Sequence, residues 1–255
     1  MRPDIRLYQF PVSHYCEKTR WALDYKGLTY QLINLLPGPH ILTTKRLAKR
    51  SSVPILDYKG TILQDSTVIL EFLENAVPSP PLIPKQADEK KEALEWEEYC
   101  DAEVGPHLRR FFYHYLLDEP KLMPKLLLEQ GAWYGPYLFF FAFPAVKRLM
   151  RKSMNIYPEP VKKSAKVLDA ALHKLDRAVT QRDFLVGKHF SRADLGAAAL
   201  LAPLFTPREH DYPWPQASSL PEPIQELMAR WEDSALQRWV HRMYRDFRKK
   251  GAARG

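Results

Sequence analysis

Phe10-Pro11-Val12-Ser13-His14-Tyr15-Cys16-Glu17-Lys18-Thr19-Arg20-Trp21 is the stretch on which the reading of this chain turns. Before it, a short apolar run, Ile5 and Leu7 with Tyr8 and Gln9, predicts a strand. After the proline-marked turn, Trp21, Ala22 and Tyr25 fall at helical spacing. A strand, a turn and then Ser-x-x-Cys at a helix start place a hydroxyl beside free backbone N–H groups and the positive end of the helix dipole. Such a spot favours an anion, and a bound thiolate is one. The plainer alternative makes Ser13 an N-cap and nothing more, with Glu17 and Lys18 solvated.

The rest of the chain sets the frame. Its 255 residues suffice for a large core and two domains, and 45% hydrophobic with 27% charged residues describes an ordinary globular protein. Cys16 and Cys100 lie far apart and form no metal-ligand spacing, so a reduced, cytoplasmic setting is expected, with no metal. Met1-Arg2-Pro3-Asp4 leads straight into the first strand, and no signal peptide is visible. The net charge of +8 is uneven: Arg238–Gly255 holds seven Lys and Arg against the single acid Asp246. That tail reads as a solvated helix end with cations at the negative pole of its dipole. No nucleic-acid motif accompanies it, so no nucleic-acid partner is expected.

Lys26-Gly27-Leu28 predicts a helix stop and Thr29–Ile33 a second strand. A looser stretch with Pro37, Gly38 and Pro39 leads to a short basic helix around Thr44–Lys49. Two apolar runs around Lys59-Gly60 predict a hairpin, with Pro54 at the head of its first strand because proline cannot donate to a ladder. Asp65-Ser66 then precedes Val68, Ile69, Phe72 and Leu73 at helical spacing, and one of the pair should cap that helix.

In this order the segment resembles the thioredoxin-like N-terminal domain of cytosolic glutathione transferases. The matching features are Ser13-His14-Tyr15-Cys16, Val53-Pro54 and Asp65-Ser66. The resemblance implies an α+β thioredoxin-like domain over residues 1–84, followed by an all-α domain over 85–255. It implies glutathione as co-substrate, a homodimer, a cis bond before Pro54, and an acid–serine pair, Asp65 and Ser66, holding the γ-glutamyl end. In the serine-type classes the first position of the motif, here Ser13, stabilises the thiolate. The tyrosine-type classes use a strand residue. Aligning on Thr19-Arg20-Trp21 puts Gln9 there, with Tyr8 on the other face of the strand. Ser13 is therefore the expected catalytic residue, and Ser13, Val53, Pro54, Asp65 and Ser66 the expected glutathione contacts.

Chemistry agrees with that assignment. A hydrogen bond to the sulfur plus backbone dipole lowers a thiol pKa, each unit corresponding to about 1.4 kcal/mol. Ser-x-x-Cys also resembles a redox Cys-x-x-Cys that has lost its attacking cysteine, so Cys16 is expected to be packed, with a thiol-disulfide oxidoreductase as the rival reading and a non-catalytic binding protein as another. His14 and Tyr15 lie in the turn, where a histidine is ordinarily solvent-facing. Lys45, Arg46, Lys49, Arg50 and His40 are candidates for the glycine carboxylate.

Val77-Pro78-Ser79-Pro80-Pro81-Leu82-Ile83-Pro84 reads as an interdomain linker. Ala93–Leu117 has long helical periodicity with a kink expected at Gly105-Pro106. Family members take electrophile contacts from the helical domain, where Tyr99, Arg109, Phe112, Tyr113 and Trp133 are the candidates for a hydrophobic electrophile. Ser191 and Asp194 form a capping pair, with Phe190 and Leu195 placed as a hydrophobic staple. One stretch departs from an ordinary member, the aromatic segment Ala132–Val146 with Lys147, Arg148, Arg151 and Lys152 behind it. It is too short and too proline-broken to span a bilayer. It suits core packing, a pocket lining, or a peripheral membrane contact over 132–152, the last the least favoured.

Overall fold

The computed structural model describes the backbone of residues 4–128 and 135–248; the side chains of residues 135–141 are not described. The first elements are β1 (Ile5–Gln9), α1 (His14–Tyr25), β2 (Gln31–Asn34), α2 (His40–Leu47), β3 (Ile55–Tyr58), β4 (Thr61–Gln64) and α3 (Ser66–Ala76). The sheet order is β2-β1-β3-β4. β2 runs parallel to β1, while β3 and β4 are antiparallel to their inner neighbours. Ile5, Leu7 and Gln9 of β1 are buried, whereas Arg6 and Tyr8 are half-buried on the opposite face, as the alternation predicts.

Local signals account for most boundaries. α1 ends in a Schellman motif: Gly27 takes φ +68°, its N–H donates to Asp24 O at 3.0 Å, and Leu28 N–H donates to Leu23 O at 3.0 Å. Lys59 and Gly60 both have positive φ, the two-residue turn that matches strand twist. α2 starts at His40, earlier than the basic run suggested, because the helix begins directly after Pro39. Gln64 pins the loop beyond α2: its Nε2 donates to Arg50 O at 2.9 Å and Ser52 O at 2.8 Å, and its Oε1 accepts from Arg50 N–H at 3.1 Å.

Register fixes which end of the sheet matters. Tyr8 pairs with Ile55, and Ile55 with Gln64. The turn after β1, the approach to β3 and the exit from β4 therefore share one end. Ser13, Val53-Pro54 and Asp65-Ser66 leave from that end together. The Val53–Pro54 bond is cis, as the resemblance implies.

The remaining helices are α4 (Ala87–Tyr99), α5 (Gly105–Leu116), α6 (Leu122–Leu128), α7 (Gly135–Ser153), α8 (Pro158–Gln181), α9 (Arg192–Phe205), α10 (Glu222–Arg230) and α11 (Ala235–Phe247). α4 passes into α5 through a π-helical turn, Cys100–Val104, in which Gly105 N–H donates to Cys100 O. The kink expected at Gly105-Pro106 is thus taken up by the five residues before it. Pro106 lacks an N–H and its ring crowds the carbonyl four residues back, and a widened turn relieves both.

α9 is the centre of its unit, buried from Arg192 to Ala202. Its N-terminus is the capping box expected from Ser191 and Asp194. Asp194 Oδ2 accepts from Ser191 N–H at 2.9 Å, and Oδ1 accepts from Leu185 N–H at 2.8 Å. Phe190 and Leu195 are both buried, and Phe190 stacks on Phe247 at 4.4 Å. Beneath them, Arg192 and Glu97 form an ion pair with both side chains almost wholly buried.

The chain gathers into two compact units, one comprising the residues up to Pro81 with Lys121–Val146, the other Leu82–Pro120 with Lys147–Arg248. In the first, Val146 lies against Gly38, where an added Cβ would come within 3.1 Å of its methyl group. In the second, Asp118 binds both Lys147 at 2.6 Å and Arg151 at 2.8 Å. Trp133 lies outside the described residues, as do most side chains of the aromatic segment. Among the described residues no helix is long and apolar enough to cross a membrane. The described cations of the tail are only partly a solvated helix end: Arg242 pairs with Asp183 and Arg245 with Asp246 near the surface, but Arg248 is buried and binds Asp211, so one cation serves packing instead. Residues beyond Arg248 lie outside the described residues.

Candidate active site

Ser13 is the N-cap of α1, with extended backbone, and its Oγ accepts from Cys16 N–H at 3.4 Å. The acceptor side of the hydroxyl is thus directed into the helix, and the same hydroxyl lies within hydrogen-bonding reach of the Cys16 thiol. Ser13 N–H donates to Phe10 O at 3.1 Å and closes the Phe10–Ser13 turn. The residues following Ser13 are not solvated, contrary to the plainer reading. His14 is 6% exposed and packs edge-on against Tyr15, and Glu17 and Lys18 are fully buried. Periodicity missed this because α1 is buried on every face from Cys16 to Asp24, with α3 packed against it.

Those buried charges hold the site's framework. Arg20 Nε donates to Glu17 Oε2 at 2.8 Å, Nη2 donates to Pro11 O at 3.1 Å, and Nη1 donates to Gln9. Gln9 passes the chain on, donating to Asn34 Oδ1 at 2.8 Å. The strand position that carries tyrosine in other classes is here a structural amide. Lys18 reaches the other way, its Nζ donating to Thr67 Oγ1 at 3.2 Å in the first turn of α3.

Asp65 caps α3, its Oδ1 accepting from Thr67 N–H at 2.9 Å. Its N–H donates to Pro54 O at 3.3 Å, which joins the cap to the approach of β3. Asp65 has φ +98°, a conformation that non-glycine residues rarely adopt and that persists where surrounding structure imposes it. The side chain is exposed, and Ser66 beside it is buried. A carboxylate and a helix N-terminus side by side suit a ligand that presents an ammonium next to a carboxylate.

Cys16 is 0% exposed. Burial pushes its thiol above the ordinary range, against the lowering effect of the Ser13 hydroxyl and the Arg20 charge. Burial likewise pushes His40 below the ordinary histidine range, against the raising effect of hydrogen bonds with the Ser51 and Leu36 backbone. Its Nδ1 accepts from Gly38 N–H at 3.0 Å. Lys45, Arg46, Lys49 and Arg50, the other candidates for an anionic carboxylate, are all exposed.

Of the helical-unit candidates, Phe112 is buried, while Arg109 and Tyr113 are half-buried. Tyr99 lies beneath the Lys174 ammonium, 3.7 Å from the ring centre, and edge-on to Trp96 at 5.8 Å. Sequence reasoning missed Arg20, Lys18 and Gln64. Each is a polar residue whose burial or pinning depends on partners in a different element, which meet it only once the fold is assembled.

Residues 7–81 match the family described as glutathione S-transferase, N-terminal domain. That match spans the sheet and the helices α1 to α3 and stops before the helical remainder of the chain. Among curated relatives, glutathione S-transferase U4 of Arabidopsis thaliana is 33% identical over 106 residues, covering 40% of this chain and 46% of that one. Maleylpyruvate isomerase of Ralstonia sp. is 30% identical over 115 residues, covering 44% of this chain and 54% of the relative. The chain spans about half the length of the curated relatives it matches. Solved structures extend the likeness in fold to nearly the whole chain. The β-etherase LigF from Sphingobium sp. strain SYK-6 gives a TM-score of 0.63 at 19% identity, covering 94% of this chain and 99% of that one. Rice GST1 in complex with glutathione gives 0.58 at 18% identity, covering 99% and 93%. The fold is thus a thioredoxin-like domain with a mainly helical remainder.

Proposed function

We propose that this chain is a serine-type glutathione transferase that activates bound glutathione for attack on a hydrophobic electrophile. The observation that carries the proposal is the geometry at Ser13. Its oxygen accepts from the Cys16 N–H, which sets the hydroxyl at the N-terminus of α1, where the helix dipole favours a thiolate to which it can donate. Asp65 and Ser66 hold the γ-glutamyl end, the Val53 backbone pairs with the cysteinyl part beside Pro54, and a cation among Lys45, Arg46, Lys49 and Arg50 takes the glycine carboxylate. Rice GST1, whose solved complex contains glutathione, shares this fold.

The thiol proton leaves to solvent, and the Ser13 hydrogen bond and the α1 dipole stabilise the thiolate left behind. The sulfur lone pair then forms a bond to the electrophilic carbon as the leaving group departs with its bonding electrons. Catalysis comes from proximity and thiolate stabilisation, with no covalent enzyme intermediate. The domain of residues 1–84 supplies glutathione, and that of 85–255 the electrophile contacts, with Tyr99, Arg109, Phe112, Tyr113 and Trp133 the candidates. Homodimerisation and a cytoplasmic setting belong to the same proposal.

The test follows conjugation of an aryl halide and reduction of a mixed glutathione disulfide, side by side. Conjugation by the wild type, lost in Ser13→Ala and kept in Cys16→Ser, supports the transferase. Disulfide reduction that needs Cys16 and not Ser13 replaces it with an oxidoreductase, a reading that full burial of Cys16 opposes. Glutathione binding without either activity replaces both with a binding protein.

A further inference from the structure

The Arg20 side chain is 3% exposed and meets three different segments at once: Gln9 at the end of β1, the Pro11 carbonyl in the turn, and Glu17 in the first turn of α1. Desolvating a guanidinium and a carboxylate costs several kcal/mol each, and an apolar pair commonly anchors a helix to a sheet as well or better. The arginine's distinctive feature is its planar fork, which reaches several acceptors in fixed directions.

One of those acceptors sits at a sensitive place. Ser13 N–H donates to Phe10 O, so Pro11 and Val12 are the two central residues of the turn. The ring of Pro11 fixes its φ, which leaves the plane of the Pro11–Val12 peptide as the main freedom of the turn. Turning that plane changes the turn type and swings the backbone that carries Ser13. Arg20 Nη2 donates to the carbonyl of that very peptide, at 3.1 Å.

We propose that Arg20 is a positioning residue: by holding the Pro11–Val12 peptide plane it sets the direction in which Ser13 presents its hydroxyl to the glutathione sulfur. The proposal rests on the Ser13 reading. Glu17 neutralises the guanidinium at 2.8 Å, so the effect is one of geometry more than of charge. Lysine at this position keeps the charge and loses the fork. Gln9 and Asn34 brace the arginine from the strand side, the last link being 2.8 Å.

The experiment reads the pKa of the bound glutathione thiol from thiolate absorbance against pH, with binding of S-methylglutathione as a thiol-free control. Arg20→Lys is expected to raise the bound thiol's pKa so that the thiolate at neutral pH falls about tenfold. kcat for conjugation should fall in step, with S-methylglutathione affinity changed less than about twofold, because the α3 contacts are untouched. In a Ser13→Ala background Arg20→Lys should add nothing, since it acts through the hydroxyl.

If Ser13→Ala moves the thiol and Arg20→Lys does not, the positioning role is overturned while the Ser13 reading stands. If Ser13→Ala itself leaves the thiol unmoved, the Ser13 reading fails first. Should Arg20→Lys fail to fold, Gln9→Met takes its place, freeing the guanidinium from β1 with its charge intact. It should raise the thiol pKa in the same direction, and an unmoved pKa overturns the proposal equally.

Discussion

Ser13 and Cys16 lie three residues apart on the same turn, and their surroundings give them different chemistry. Ser13 caps the helix at its N-terminus, whereas Cys16 points into the core, where burial pushes its thiol pKa up. Ser13→Ala should therefore slow conjugation about 10- to 1000-fold, the range seen when a single anion-stabilising donor is lost. Cys16→Ser should leave the rate within about threefold, because position 16 makes no contact that the transition state strengthens. Native protein should react with an aromatic disulfide reagent far more slowly than denatured protein, since both cysteines are buried. Rapid labelling of the folded chain would contradict that. Asp65 separates in the same way. Asp65→Asn keeps an N-cap and loses a charge, so the melting temperature should hold while glutathione affinity falls about tenfold in calorimetry. Asp65→Ala should lose affinity and also about 1 kcal/mol of stability. Unchanged affinity in either folded variant would remove Asp65 from the site. Ser13, Cys16 and Asp65 were legible in the sequence because each acts through its own local backbone. Arg20 was not, because its three partners meet only once strand, turn and helix are assembled.

At the scale of the element, helix ends carry the information. The Gly27 stop, the Asp65 cap and the Ser191–Asp194 box follow from residues within a few positions of each other, which is why they could be read directly. What could not be read is how deeply the last of these is buried. Asp194 is pushed up to about 6 from an ordinary 3.8 by burial, against the pull of the hydrogen bonds it accepts. Its folded-state pKa lies above the unfolded one, so the folded chain binds the extra proton between roughly pH 4 and 6. This group's contribution therefore favours folding as pH falls through that window and is lost as pH rises through it. Asn at 194 has no such titration and turns an amide donor toward the N–H of Ser191 or Leu185. Asp194→Asn should cost about 2–4 kcal/mol in urea melts. Its deficit against wild type should be wider at pH 4.5 than at pH 7.5. An equal deficit at both would mean that Asp194 stays ionised throughout. The π turn is a local case too: Gly105-Pro106 announced a disturbance, and the widened turn over Cys100–Val104 is where the chain takes it up.

For the whole molecule, long-range polar pairs decide what the pattern left open. Arg192 and Glu97, buried on α9 and α4, illustrate the cost. Arg192→Ala should destabilise by about 3–5 kcal/mol, because it strands a buried carboxylate, whereas an apolar double replacement of similar volume should cost far less. Chemical denaturation of the single and double variants distinguishes these, and additive losses would show that the two groups do not act as a pair. The sequence by itself determined the element order, the turn chemistry, the helix caps and the family resemblance, since each is encoded in residues close together along the chain. Only the tertiary structure decided that Glu17 and Lys18 are buried, that burial lowers the His40 pKa, and that the Ser13 turn is braced through Arg20. Such outcomes depend on which distant groups arrive to remove water from a side chain and to satisfy it, and spacing along a chain carries no record of that.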